Sequence, residues 1–486
     1  MSLKQKTLHG LSWSFLDNFV GQAISITVTI ILARLLSPTE FGVLAYVVFF
    51  VAISNSLVDS GFSSALIRKK DCTPTDCSTV FYFNLTIGIL LYLLLFFLAP
   101  AAEVFFNVPG FSLILRVAGC VLIINALGTI QLTLLTRNID FKTKSKITIS
   151  ADTLAGIIVI ILAYKGFGVW SLVWRTILGQ FFTAILLWVF SDWRPGLVFS
   201  VKSFKELFGF GYKLALSALI DKIYGHILSP IIGKNFSSDT LGYYKQASQF
   251  TGLFSLTLTT NIQRVSYPVL SKLQDDPEKL KLGYRKIIKS TMIITFACMI
   301  GLAAIAKPMI VILIKEKWLP CVPYLQLLCL SSMLYPLHAI NLNAIMVKGR
   351  SDLFLKLEVI KKVLYTPLIL VGMYLGVIAL LIGVIIYSVI AYLLNSYYSA
   401  NLIRYSTKEQ IMDILPLFLV SLCVSGLVWC FTFLDWNNWV TIILQIGVGA
   451  GLTIGIYELM KQPDYLEMKQ IVLQVIGKIL KKKGIL

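Results

Sequence analysis

The stretch ARLLSPTEFGVLAY at residues 33–46 joins two long apolar runs, and a similar segment occurs a second time in the sequence. Residues 233–246 read GKNFSSDTLGYYKQ and align with the first stretch without a gap. The positions that coincide are Ser37 with Ser237, Phe41 with Leu241, and Gly42 with Gly242. Ordinary turn chemistry, a serine cap followed by a glycine that permits close helix approach, explains the residue types. An internal duplication would explain their matched positions as well.

The composition predicts an all-α polytopic membrane protein. The chain has 486 residues, 57% of them hydrophobic and only 14% charged. Its apolar runs reach about 18–25 residues, the length that a helix needs to cross a bilayer. We predict fourteen transmembrane helices. They are about 11–33, 41–60, 79–99, 111–134, 147–164, 169–190, 211–232, 241–262, 290–313, 322–346, 357–375, 377–400, 412–434 and 438–458.

Two further pairs of similar segments support the duplication. GFGVWSL at 166–172 resembles YLGVIAL at 374–380, and RNIDFKTK at 137–144 resembles RSDLFLK at 350–356. All three pairs lie between equivalent spans, which predicts two pseudo-symmetric six-helix lobes and two C-terminal helices. Such parallel halves are typical of transporters with a site between them. The predicted divisions are 1–200 for the N-terminal lobe, 201–402 for the C-terminal lobe, 403–460 for the last two spans and 461–486 for a basic amphipathic cytoplasmic tail.

The net charge of +19 is explained by topology. Most of the 43 Lys and Arg residues fall in alternate loops and in the two tails, and the opposite loops are short and poor in basic residues. By the positive-inside rule the basic side is the cytoplasm, so both termini are expected there. We therefore expect contact with membrane lipids and no binding of nucleic acid.

Polar side chains within the spans predict a water-filled cleft, because such groups are costly in lipid. Polar faces recur on spans one, seven and eight. The predicted substrate-binding residues are Lys222, Lys245, Arg116, Arg175, Asn18, Gln22 and Gln249, and the predicted ion-coupling residues are Asp17, Asp221 and His226. The cationic members suit an anionic substrate such as a phosphate ester.

Several of these charges have structural alternatives. Asp221 could simply neutralise Lys222 or Lys245, and His226 could be a packed, hydrogen-bonded histidine. Asp152 is a candidate partner for the arginines in spans four and six. Asp59 lies near the end of its span, where a charge can reach the interface.

The sequence carries no Walker loop, HExxH or Gly-x-Ser-x-Gly motif, so we expect neither an enzyme nor a cofactor or metal site. Uphill transport would then draw on an ion gradient or a partner.

The chain resembles the bacterial polysaccharide transporters, the flippases of lipid-linked oligosaccharides in the multidrug/oligosaccharidyl-lipid/polysaccharide exporter superfamily. The resemblance rests on SPTEFGVLAYVVFFVAISNSLVDSGFSSALIRKKD (37–71), LLTRNIDFK (134–142), GFGVWSLV (166–173) and YPVLSKLQDDPEKLKLGYRK (267–286). It implies alternating access and transfer of undecaprenyl-diphosphate-linked oligosaccharide to the outer leaflet of the bacterial cytoplasmic (inner) membrane. It also implies a proton or sodium gradient and partners in the polysaccharide polymerase machinery, for exopolysaccharide, O-antigen or capsule assembly.

Two other functions remain open at this point. One is a cation-coupled multidrug antiporter of the same superfamily, whose pocket should be rich in carboxylates and aromatic rings. The other is an integral-membrane polysaccharide polymerase or ligase, which needs catalytic residues in a long outer loop.

Overall fold

The computed structural model describes residues 3–59, 61–434 and 436–482, and within these residues the regular structure is entirely helical. The helices of the first half are α1 (Leu3–Leu35), α2 (Pro38–Asp59), α3 (Phe62–Arg68), α4 (Pro74–Phe106), α5 (Phe111–Gly119), α6 (Val121–Arg137), α7 (Phe141–Tyr164) and α8 (Val169–Phe190). Those of the second half are α9 (Val201–His226), α10 (Leu228–Asn235), α11 (Ser238–Lys272), α12 (Pro277–Ala304), α13 (Ala306–Ile314), α14 (Cys321–Ser332), α15 (Tyr335–Val347), α16 (Ser351–Leu375) and α17 (Val377–Ile403). The last three are α18 (Thr407–Cys430), α19 (Asn438–Leu459) and α20 (Pro463–Lys482).

The repeated turn begins a helix in both copies, at 33–46 and at 233–246. The Ser37 hydroxyl donates to the Glu40 carboxylate at 2.9 Å, and the Glu40 amide returns a bond to the same hydroxyl. In the second copy the Thr240 amide donates to the Ser237 hydroxyl at 3.1 Å. Both serines therefore satisfy amide groups at the exposed start of a helix, α2 in one case and α11 in the other.

The other two pairs of repeated segments also lie at the starts of helices. Gly168 precedes α8 and Gly376 precedes α17, both with positive φ angles of 53° and 106° that favour glycine. The third pair lies at the starts of α7 and α16, where Asp140 caps the first helix through the Thr143 amide. All three repeated segments thus occupy matching positions in the order of helices.

Twelve helical segments in the described residues are long and apolar enough to cross a membrane. The predicted spans at 241–262 and 357–375 lie on α11 and α16, which fall outside that set. α11 carries a polar face with Lys245 and Gln249, and α16 carries charges that include Glu358 and Lys361. Fourteen spans therefore remain a prediction, whereas an all-helical multi-pass membrane protein is confirmed.

The chain divides into two compact units, Met1–Lys245 and Gln246–Leu486. One hydrophobic cluster of the first unit joins Phe62, Leu66 and Phe81 to Ile130. The main cluster of the second unit includes the fully buried rings of Tyr284 and Tyr405, which meet edge to face. The four-part division predicted from sequence stays a prediction.

Large apolar side chains are also abundant on the outside of the helices. Phe97 is 74% exposed, and Val104 and Tyr374 are exposed to 75% and 90%. A soluble protein rarely shows continuous apolar surface of this kind, and lipid is the medium that it fits.

Candidate functional site

The two copies of the repeated turn pack directly against each other. A Cβ added at Gly42 would lie 1.9 Å from the backbone oxygen of Ser238, and one added at Gly242 would lie 1.9 Å from that of Pro38. The contact is reciprocal, as expected for two related segments that meet across a pseudo-twofold axis. Thr39 adds a hydrogen bond from its hydroxyl to the Asp239 carboxylate. Glycine is required at both positions because the helix starts touch through their backbones.

Arg175 is held in a polar network between α1 and α8. Its guanidinium donates to the Thr29 hydroxyl at 2.9 Å, to the Ser25 hydroxyl at 3.0 Å and to the Ser25 carbonyl at 3.2 Å. Asp152 of α7 interacts with it electrostatically and lies beside Gly179 of the same helix as Arg175. The structure thus brings together Arg175 and Asp152, the partner that the sequence offered.

Asp17 joins two of the same helices, α1 and α7. Its carboxylate accepts a 2.6 Å hydrogen bond from the Thr148 hydroxyl, one helical turn before Asp152 on α7. Asn18 and Gln22 follow Asp17 on α1; the Asn18 side chain is exposed and that of Gln22 is half-buried. Asp17, Asp152 and Arg175 therefore bring carboxylate and guanidinium groups to the α1–α7–α8 network, whereas Asn18 and Gln22 are placed near it only by their position on α1.

A second group of predicted residues lies on α9 and at the start of α11. Lys222 and Asp221 are exposed, whereas His226 and Lys245 are half-buried. Both lysines are near enough to His226 to interact with it electrostatically. The two lysines therefore place positive charge beside His226. Gln249 lies one turn after Lys245 on α11, on the same helical face.

Arg116 lies apart from both groups. Its guanidinium stacks on the Phe96 ring, 4.2 Å from the centroid, and its Nε donates to the Phe96 carbonyl at 3.1 Å. These contacts join α5 to α4, so a part in substrate binding is a prediction that the geometry leaves without support.

Two adjoining cavities complete the polar interior of the first unit. The Lys222 chamber, of about 450 Å³, lies between α2, α3 and α9. Its polar lining consists of Asn55, Ser56, Asp59, Ser64 and Lys222. The amide chamber, of about 260 Å³, lies between α2, α6 and α8. Its polar lining consists of Asn55, Asp59, Asn125, Thr129, Gln180 and Thr183. Asn55 and Asp59 line both chambers, so the two adjoin along one face of α2.

Sequence reasoning missed most of the chamber residues. The position of Asp59 near the end of its span suggests a charge that reaches the interface, but Asp59 lines a cavity that it shares with Lys222. The signal was present in the sequence, since Asn55, Asn125 and Gln180 are amides within apolar runs. A single amide is a weaker signal than a charge, because it can be satisfied by a neighbouring helix.

Comparison with known proteins assigns the family. The model of the family described as polysaccharide biosynthesis protein matches residues 31–323. Lipopolysaccharide biosynthesis protein WzxC of Escherichia coli (strain K12) is 25% identical over 417 residues, 84% of each chain. Teichuronic acid biosynthesis protein TuaB of Bacillus subtilis (strain 168) is 24% identical over 423 residues, 86% of this chain and 88% of the relative.

Two solved structures share the fold. The lipid II flippase MurJ in an inward closed conformation aligns with a TM-score of 0.72 and 16% identity, over 94% of this chain and 100% of its own. An inward-facing multidrug resistance transporter of the MATE family aligns with a TM-score of 0.62 and 16% identity, over 80% and 96%. The latter is described as a member of the MOP superfamily, the group that the sequence motifs resemble. The chain belongs to the polysaccharide biosynthesis protein family.

Proposed function

We propose that this protein is a flippase that moves undecaprenyl-diphosphate-linked oligosaccharide from the inner to the outer leaflet of the cytoplasmic membrane. The observation that carries the proposal is a polar chamber beside Lys222, inside a helical unit whose outer surface suits lipid. Family membership supports the substrate class, since the relatives are named for lipopolysaccharide and teichuronic acid biosynthesis. Transport requires no covalent chemistry on the sugar, so we assign the protein no enzymatic role.

Lys222 and Lys245 are the groups we assign to the diphosphate. Both lie near His226, and the mobile ammonium group of a lysine can follow a phosphate as it moves through a cleft. Arg175 is less free to do so, because Ser25, Thr29 and Asp152 already surround its guanidinium. We therefore expect Arg175 to shape the cleft rather than carry the main charge contact. Asn18, Gln22 and Gln249 would offer hydrogen bonds along the polar helix faces.

A proton or sodium gradient would supply the driving force, with Asp17, Asp221 and His226 as the candidate coupling groups. Asp17 is the best supported of the three, because its carboxylate is bonded to Thr148 beside the Asp152–Arg175 pair. A cation bound there would compete with the guanidinium for carboxylate charge. This competition offers a physical link between ion binding and the packing of α1, α7 and α8.

In this proposal both termini lie in the cytoplasm of a bacterium, and the polysaccharide polymerase machinery acts on the product at the outer face. The duplicated turn would lie on the outer side, where the contact between Gly42 and Ser238 must separate when the substrate leaves. Alternating access then consists of making and breaking this small backbone contact.

The test is to replace Lys222 and Lys245 with alanine in the source bacterium. We expect the double variant to lose surface polysaccharide while the protein remains in the membrane, because the diphosphate has lost its counter-charges. Lys202→Ala is the matched control, since Lys202 is an exposed lysine at the start of the same helix as Lys222. Normal polysaccharide export by the double variant would contradict the proposed site.

A further inference from the structure

The amide chamber has a composition that differs from the rest of the polar interior. Its polar lining combines side-chain amides, hydroxyl groups and one carboxylate, and none of its lining residues in the described part of the chain is aromatic or basic. The adjoining Lys222 chamber supplies the nearest cation of the pair of cavities. A neutral, hydrogen-bonding ligand therefore suits the amide chamber better than an anion does.

The amides of this chamber retain unused hydrogen-bonding groups. Asn125 donates from Nδ2 to Asn55 Oδ1 at 2.9 Å. Within the described residues, this leaves Asn55 Nδ2 as a donor and Asn125 Oδ1 as an acceptor for another molecule. Gln180 adds an exposed amide from α8. Sugar hydroxyls both donate and accept hydrogen bonds. A side-chain amide can pair with either role, because its oxygen accepts and its NH₂ group donates.

Asp59, at the junction of the chambers, also has an oxygen that accepts no hydrogen bond from another described residue. Asp59 Oδ1 accepts from the Ser63 hydroxyl at 2.5 Å and from its amide at 3.3 Å, and Oδ2 has no bond to another described residue. Ser56 also lines the Lys222 chamber, but its hydroxyl is closed off from the cavity and bonds to none of the described side chains. A ligand hydroxyl that reaches this junction would donate to Asp59 Oδ2.

A metal ion or sodium fits these chambers less well. Asn55 Oδ1 already accepts a bond from Asn125, and Asp59 Oδ1 already accepts one from Ser63. Lys222 lines the same cavity as Asp59 and would repel a cation. Volumes of about 450 and 260 Å³ are close to those of small-molecule sites, which occupy about 300–1,000 Å³, and exceed what one ion needs.

We infer that the amide chamber binds an uncharged sugar ring of the lipid-linked oligosaccharide, while the diphosphate lies at Lys222 in the adjoining chamber. This inference rests on the proposed function. The two chambers adjoin, as the diphosphate and the first sugar do in such a lipid. Asp59 and Asn55 lie at the junction and would contact the first sugar.

The experiment compares the binding of two lipids to the full-length protein in detergent. One is undecaprenyl diphosphate, and the other is the undecaprenyl-diphosphate-linked oligosaccharide purified from the source bacterium. We expect the wild-type protein to prefer the oligosaccharide lipid. The double variant Gln180→Leu/Thr183→Val should reduce that preference about tenfold, the effect of losing about two hydrogen bonds.

Thr176→Val is the matched control, because Thr176 lies on the same helix and its hydroxyl also bonds to its own helix backbone. It should retain the wild-type preference. Equal affinities of the wild-type protein for both lipids, or an unchanged preference in the double variant, would overturn the sugar chamber while leaving the flippase intact. Failure of the wild-type protein to bind either lipid would overturn the proposed function itself.

Discussion

At the scale of single residues, the polar groups fall into two kinds, those held by the fold and those left available. Arg175 has three hydrogen bonds and a carboxylate close by, whereas Lys222 faces a chamber. Sequence reasoning singled out both, since any charge in an apolar run is conspicuous. It could not separate them, because the partners of Arg175 come from helices about 25 and 150 positions away in the chain.

Cys72 gives a prediction at this scale. Cys72 lies in the loop before α4, and its sulfur is 3.6 Å from that of Cys77 in the first turns of that helix. The Cys77 thiol and the Arg137 charge favour the thiolate, which lowers the pKa of Cys72 to about 7. Since the thiolate is the reactive form, alkylation of Cys72 by iodoacetamide should rise through a midpoint near pH 7. Peptide mass spectrometry of the modified protein measures this rate.

The Cys77→Ala variant provides the control for that measurement. It removes the thiol that stabilises the Cys72 thiolate, so the midpoint should move up toward the value of an ordinary cysteine, about 8.5. A wild-type midpoint already at that value would show that the two thiols do not interact.

At the scale of helices, the sequence predicted where helices start better than it predicted how many of them span the membrane. The three repeated segments all begin helices, because serine caps and positive-φ glycines act locally and can be read from a few residues. The span count depends instead on where polar helices lie. α11 and α16 carry too many polar side chains to be recognised as membrane-spanning by composition alone.

The contact between α2 and α11 predicts the effect of a single methyl group. Gly42→Ala and Gly242→Ala each place a carbon 1.9 Å from a backbone oxygen, which cannot move as a side-chain tip can. Overpacking of this kind costs about 1–3 kcal/mol. Thermal unfolding of the purified protein should therefore begin at a lower temperature in both variants.

Gly426→Ala in α18 is the control, because a methyl group there meets no atom within 4 Å. It should leave the unfolding temperature unchanged or raise it slightly, since alanine favours helix over glycine. Equal unfolding temperatures for Gly42→Ala and Gly426→Ala would mean that the two repeated turns do not touch.

At the scale of the whole molecule, the fold class was predictable and the chambers were not. Fifty-seven per cent hydrophobic residues in long runs indicate a helical membrane protein, and the matched turns predict two related halves. The chambers depend on the way α2, α6 and α8 pack, and on the approach of α9 to Gly61, where a Cβ would lie 2.4 Å from the Gly211 oxygen. Such packing leaves no periodic pattern in one sequence.

In the proposed function, alternating access requires that the two repeated turns separate during each transport cycle. Thr39 and Asp239, which are hydrogen-bonded across this contact, can both be replaced by cysteine and joined by oxidation. The joined pair should hold the contact closed, and a reducing agent should release it. The same protein is then its own control in the two states.

The most direct measurement follows fluorescently labelled undecaprenyl-diphosphate-linked oligosaccharide in vesicles that contain the Thr39→Cys/Asp239→Cys variant. A quencher added outside the vesicles reports how much lipid has changed leaflet. We predict movement well above that in protein-free vesicles when the cysteines are reduced, and none when they are joined. Movement no faster than in protein-free vesicles would contradict the flippase, and equal movement in both states would contradict alternating access at this contact.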